Sequence, residues 1–220
     1  MPTRVKVCCM MSPEEARLAV ECGADAVGLV SEMPSGAGVI GDDLAAEIAA
    51  GVPPGVMSVL LTNRQSVSAI VAQQRAVAAN ALQLVDELPA GGQAELRLAL
   101  PGISLIQVVH VRGPEALDEA RAVAPQVDAV LLDSGNPELA VKELGGTGRV
   151  HDWDLSSRIV AALEIPVFLA GGLHAGNVGE AIARVRPYGV DLCNGVRTAG
   201  KLDEAKLRAF FAAVALTFLN

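Results

Sequence analysis

Eight short apolar runs rich in β-branched residues recur along the whole chain, each followed by an amphipathic stretch. The runs cover 4–9, 24–30, 56–62, 81–85, 104–110, 127–133, 166–170 and 189–194. The helical patterns cover 13–22, 42–50, 65–76, 93–98, 114–122, 154–163, 175–185 and 203–217. Strands that are apolar nearly throughout are buried on both faces, which means a parallel sheet covered by helices. Eight βα units are the number that closes a barrel, and no segment is left for a second domain. A doubly wound open sheet is the competing arrangement. It ordinarily has fewer strands and a glycine-rich turn after the first, whereas the first strand here runs into Cys8-Cys9-Met10-Met11. The expected fold is α/β: a single (β/α)8 TIM barrel of eight parallel strands, with residues 1–220 as one domain.

Composition narrows the partners. Apolar residues make up 51% of the chain and aromatics 3%, so the core is built from Val, Leu, Ile and Ala. The net charge of −8 leaves no basic stripe able to neutralise a nucleic-acid backbone. It does not exclude one small phosphate, which backbone dipoles bind unaided. No segment approaches the length of a membrane span; 209–219 fits a docked C-terminal helix, and the N-terminus lacks the pattern of a signal peptide. Cys8, Cys9, Cys22 and Cys193 form no regular framework, which predicts a reducing, cytoplasmic setting. If adjacent Cys8 and Cys9 lie on a strand they point to opposite faces, which argues against a shared metal.

Two strand ends near the C-terminus carry the strongest chemical signal: Leu169-Ala170-Gly171-Gly172-Leu173 and Asp191-Leu192-Cys193-Asn194-Gly195-Val196. Each ends in glycine just before a helical pattern, so Gly171, Gly172, Asn194 and Gly195 are expected to present bare N–H groups to a phosphate. Cys8 closes the first strand and Asp133 the sixth, and in a closed barrel the phosphate site lies between them. A thiolate taking a proton from carbon and a protonated carboxyl donating to a ring oxygen suit aldose–ketose chemistry on a phosphorylated sugar. The plainer readings are a core cysteine, an aspartate organising a loop, and glycines that only serve turns. Lys6 alternates with Cys8 and is expected to pair with Asp191 or Asp25 in the barrel floor. In the loop 144–153, Gly-Gly-Thr-Gly is a weak phosphate or lid signal. His151 reads there as a solvated residue or cap, Asp152 as a helix cap and Trp153 as a packing anchor. Met10, Met11 and Met33 read as packing fillers near the mouth, with an apolar ring pocket as the alternative.

These motifs together resemble the phosphoribosylanthranilate isomerase family over nearly the whole length. The resemblance rests on Val5-Lys6-Val7-Cys8, Gly23-Ala24-Asp25-Ala26-Val27-Gly28, Leu82-Gln83-Leu84 and Leu131-Leu132-Asp133-Ser134. It continues through Gly145-Gly146-Thr147-Gly148 before Asp152-Trp153, Ala170-Gly171-Gly172-Leu173, Asn177-Val178, and Gly189-Val190-Asp191 before Gly195-Val196. It implies an Amadori rearrangement of an N-ribosylated aromatic amine phosphate in tryptophan biosynthesis, without cofactor or metal, by a monomer or homodimer. Cys8 matches the family's general base and Asp133 its general acid. Gly171, Gly172, Asn194 and Gly195 match its phosphate site, and Gln83, Gly146, Arg149 and Arg197 are candidate substrate contacts.

Four departures accompany the resemblance. The family's loop arginine, which holds the anthranilate carboxylate, is missing from Pro34-Ser35-Gly36-Ala37-Gly38. Its histidine-glycine after strand four is Val85-Asp86, and the glycine after the catalytic cysteine is Cys9. The serine pair and glutamate around Gly195 are replaced by Cys193-Asn194 and Arg197. The departures cluster at the ring end of the substrate, so Arg149 or Arg197 is a candidate replacement for the lost charge. The same rearrangement on another phosphoribosyl amine, or a phosphosugar-binding protein without catalysis, are the alternatives.

Overall fold

The computed structural model describes residues 2–34, 36, 38–145 and 148–217. Among these, the strands β1 (Arg4–Val7), β2 (Ala26–Val30), β3 (Met57–Thr62), β4 (Ala81–Leu84), β5 (Ser104–His110), β6 (Ala129–Asp133), β7 (Val167–Leu169) and β8 (Gly189–Leu192) alternate with helices. The helices are α1 (Pro13–Glu21), α2 (Asp42–Gly51), α3 (Val67–Val77), α4 (Gly92–Ala99), α5 (Ala116–Val123), α6 (Trp153–Ala162), α7 (Val178–Val185) and α8 (Glu204–Leu216). The strands pair in sequence order and the sheet closes on itself. At the seam β1 runs parallel to β8, with Lys6 opposite Asp191 and Val7 opposite Leu192. The eight-stranded barrel expected from the periodicity is the fold observed.

Alternation along each strand divides the apolar residues into two cores. Val5, Val7, Val27, Leu29, Leu60, Leu82 and Leu132 point outward and pack under the helices. Ala26, Val30, Val59, Leu61, Ala81, Ile106, Val108 and Leu131 point inward and fill the barrel with Cys8. Burying such aliphatic side chains contributes roughly 1.5–3 kcal/mol each. Ser12 caps α1, its side chain accepting from the Glu15 N–H, with Pro13 in the first turn.

Three local expectations change. β1 stops at Val7 because Cys9 takes a left-handed backbone, φ 67°, that a strand cannot continue. No long helix follows Gly195: Asn194–Val196 makes one 3₁₀ turn. The chain then forms a short antiparallel hairpin, β9 (Arg197–Thr198) and β10 (Lys201–Leu202), before α8. Positive φ at Ala199 and Gly200 supplies the tight turn between these two strands. Among the described residues, no helix is long and apolar enough to cross a membrane.

Candidate active site

A cavity of about 290 Å³ opens at the C-terminal ends of the barrel strands. Cys8, just past the end of β1, and Asp133, the last residue of β6, both line it. Both side chains are inward by strand parity: Cys8 continues the face of Lys6, and Asp133 the face of Ala129 and Leu131. Asp133 is held from one side, its Oδ1 accepting the Ser134 N–H at 2.7 Å. Gly28 keeps the space beneath the thiol open, since a Cβ there would meet Cys8 Sγ at 2.7 Å and Lys6 Nζ at 3.2 Å. Gln83 also lines the cavity, and its Oε1 is buried without a hydrogen-bond partner among the described residues.

Lys6 takes Asp191 rather than Asp25: Nζ lies 2.9 Å from Asp191 Oδ2, and both side chains are buried. Asp25 instead bonds Arg4 at 2.6 Å at the opposite end of the barrel. Burial is the largest single influence and would lower the Lys6 ammonium. The charge and hydrogen bond of Asp191, with Cys8 and Cys9 beside it, together outweigh burial and hold Lys6 above the ordinary lysine range. Burial pushes the Asp191 carboxyl upward against the pull of Lys6. Each partner therefore depends on the other to remain charged in the barrel floor.

Gly171, Gly172, Asn194 and Gly195 come together on the cavity wall. Gly171 and Gly172 have φ values of +85° and +63°, and a Cβ on Gly172 would meet Gly148 O at 2.9 Å. Asn177 braces this turn: its Oδ1 accepts the His174 N–H at 2.8 Å and its Nδ2 donates to Gly172 O at 3.0 Å. The result is a glycine-walled concavity beside the first turn of α7 and the 3₁₀ turn, a setting for a small anion. The far wall is apolar, formed by Val30, Met33, Leu61, Val85 and Leu144. Met33 thus lines the cavity, whereas Met10 is fully buried in the outer core and Met11 is 43% exposed.

Neither candidate arginine side chain lines the cavity. Arg197 is buried away from it, a correction with a clear cause. Its guanidinium donates to Glu15 Oε1 at 3.0 Å, Glu15 Oε2 at 2.8 Å, Gly200 O at 2.8 Å and the Cys9 carbonyl. Arg149 extends outward and pairs with Glu143; its main chain, not its side chain, packs on Gly171 and Gly172. Asp86 is paired with Lys142. Gly146 lies outside the described residues, as do Ser35, Ala37 and Thr147. No Lys or Arg occurs among the described lining residues.

The loop before α6 behaves differently from its sequence. Asp152 does cap α6, accepting from the Asp154 and Leu155 N–H groups at 2.9 and 3.2 Å, and Trp153 is buried in the outer core. His151 is not solvated. Both of its ring nitrogens are buried without a partner, and Nδ1 lies 3.1 Å from where a Gly171 Cβ would stand. Burial pulls its imidazole below the ordinary histidine value, with the charges of Asp133 and Asp152 opposing. No spacing signal in the sequence marks this burial, because it comes from the loop folding back over β7.

Comparison with known proteins places this architecture in a populated group. A family model described as N-(5'phosphoribosyl)anthranilate (PRA) isomerase matches residues 5–213. The N-(5'-phosphoribosyl)anthranilate isomerase of Methanocella arvoryzae is 35% identical over 216 residues, 98% of this chain and 99% of the relative. That of Haloferax volcanii is 40% identical over 213 residues, covering 96% and 92%. Among solved structures, the phosphoribosyl anthranilate isomerase of Thermotoga maritima superposes with a TM-score of 0.83 at 31% identity, covering 97% of this chain and 98% of that one. A phosphoribosyl anthranilate isomerase in complex with reduced 1-(o-carboxyphenylamino)-1-deoxyribulose 5-phosphate superposes at 0.81 with 28% identity, covering 97% and 98%. Another solved Thermotoga maritima structure describes monomers generated from a dimeric enzyme, at 0.78 and 26% identity, covering 97% and 98%.

Proposed function

The chain belongs to the N-(5'-phosphoribosyl)anthranilate isomerase family, and from that premise we propose how its own residues carry out the family's isomerisation in tryptophan biosynthesis. One observation carries the reading: Cys8 and Asp133 line a single cavity whose wall between them is the glycine concavity of Gly171, Gly172, Asn194 and Gly195. A 5-phosphate seated on the backbone N–H groups of that concavity places the ribose between thiol and carboxyl. Asp133 donates a proton to the ring oxygen, the ring opens, and an iminium forms at C1. Cys8 then takes the proton from C2, the electrons shift into the C1–C2 bond, and the enolamine tautomerises to the aminoketose. Each proton transfer of this kind contributes typically 10²–10⁴-fold. Gln83, on the wall of the same cavity, serves as the side-chain amide that bonds the sugar hydroxyls.

The aryl group lies against Val30, Met33, Leu61, Val85 and Leu144. The segment 31–41 contains neither Lys nor Arg, so its carboxylate is bound without a guanidinium from that loop. A contact to a group that does not change in the reaction adds binding equally to ground and transition states. Its absence is therefore expected in KM rather than in kcat.

The test is the loss of anthranilate fluorescence when phosphoribosylanthranilate, generated in situ, is offered to the purified protein. Turnover that falls by at least about 10²-fold in both Cys8→Ala and Asp133→Asn, with inorganic phosphate still bound, is the expected result. Full turnover in either variant removes that residue from the mechanism. Absence of turnover in the parent protein sinks the assignment.

A further inference from the structure

Two of the four departures from the family pattern, Cys9 and Cys193, meet in space, and isomerisation uses neither. The seam of the barrel brings them together. Val7 stands opposite Leu192, and the Cys8 N–H bonds the Leu192 carbonyl at 2.8 Å, so the chain leaves β1 and β8 side by side. Cys9 takes a left-handed backbone, φ 67°, and packs in the inner cluster against which Cys193 also packs, at the mouth of the barrel. Both residues line the open cavity, so a small oxidant that enters the active site reaches them.

We infer that Cys9 and Cys193 form a reversible oxidation site, closing as a disulfide across the seam when the protein meets a hydroperoxide. The chemistry divides between them. The neighbouring Cys9 thiol draws the Cys193 thiol below its ordinary value; burial opposes this, and the Arg197 charge assists. Cys193, half-buried where Cys9 is fully buried, is the sulfur that meets the peroxide first and attacks it as the thiolate. Its sulfur bonds one peroxide oxygen, the O–O bond breaks, and the other oxygen leaves as water once protonated. Cys9 then gives up its proton and attacks the sulfenic sulfur, forming the S–S bond and releasing a second water. Two thiols lose two electrons and one peroxide is reduced. A Cys8–Cys9 link would instead close a ring through a single peptide bond, which strains the disulfide geometry.

The link fastens the peptide after Cys8 to the residue before Asn194, so turnover is expected to stop while it persists. That readout rests on the isomerase assignment; the linkage itself does not. The experiment treats the protein with hydrogen peroxide, blocks free thiols, maps the peptides and assays turnover before and after dithiothreitol. A Cys9–Cys193 peptide with turnover down about tenfold or more, restored by dithiothreitol, is the expected outcome. Cys193→Ser and Cys9→Gly, the latter suited to the left-handed backbone, should each remove the linkage and the dithiothreitol-reversible loss. Absence of that peptide, or an equal reversible loss in the variants, overturns the proposal. As a second readout, phenylarsine oxide should bridge the two thiols of the parent protein and fail to do so in Cys193→Ser; equal capture by both also overturns it.

Discussion

Lys6 is the residue on which the barrel floor turns. A lysine with its side chain 1% exposed is tolerated because Asp191 stands opposite it across the seam, and Gly28 on β2 leaves room for its head. Removing one member of such a pair leaves the other charge buried and unpaired. Lys6→Met is therefore expected to lower stability by about 3–5 kcal/mol in urea unfolding. A double variant, Lys6→Met with Asp191→Leu, should recover much of that loss, because the apolar pair carries no desolvation cost. If Lys6→Met alone proves neutral, the pair does not organise the floor. The same reasoning explains why the floor was partly readable from sequence. Alternation put Lys6 and Asp191 on inward faces, but the choice between Asp25 and Asp191 needed the register of a strand pair 185 residues apart in the chain.

At the scale of elements, the segment after β8 is fastened to the segment after β1 by Arg197, which grips both oxygens of Glu15 and the carbonyls of Cys9 and Gly200. Glu15 also accepts the Met11 and Leu202 N–H groups, at 3.1 and 3.0 Å. Arg197→Ala is expected to cost about 2–3 kcal/mol in thermal or urea unfolding while leaving KM nearly unchanged. A large rise in KM with unaltered stability would return Arg197 to the substrate site. Strand parity and βα order made the barrel legible, and with it the convergence of Cys8, Asp133 and the glycine turns. The β9–β10 hairpin was not legible, because two-residue strands carry no periodicity. Nor was the direction of Arg197, which is decided by a carboxylate 182 residues away. The burial of His151 was not legible for a related reason: a loop histidine is solvated by default, and only the fold-back onto Gly171 buries its ring nitrogens.

For the whole molecule, acid stability should follow the two buried imidazoles at the catalytic face. Burial lowers His110 and His151 below the ordinary histidine value of 6.5. The unfolded chain therefore binds more protons than the folded one as pH falls through that value, and stability rises with pH across the same window. The melting temperature should drop between about pH 7.5 and 5.5, and His151→Phe should flatten part of that slope. A slope identical in the variant would show that His151 is charged or exposed in solution. The closed seam has one more consequence. The proposed catalytic thiol follows the first strand, while the proposed phosphate wall follows the last two, so no contiguous half of the chain contains the site. A nascent chain emerging from the ribosome carries Cys8 long before residue 195, and the site is assembled only once β8 has docked on β1. Catalytic competence thereby reports that the seam of the barrel has closed.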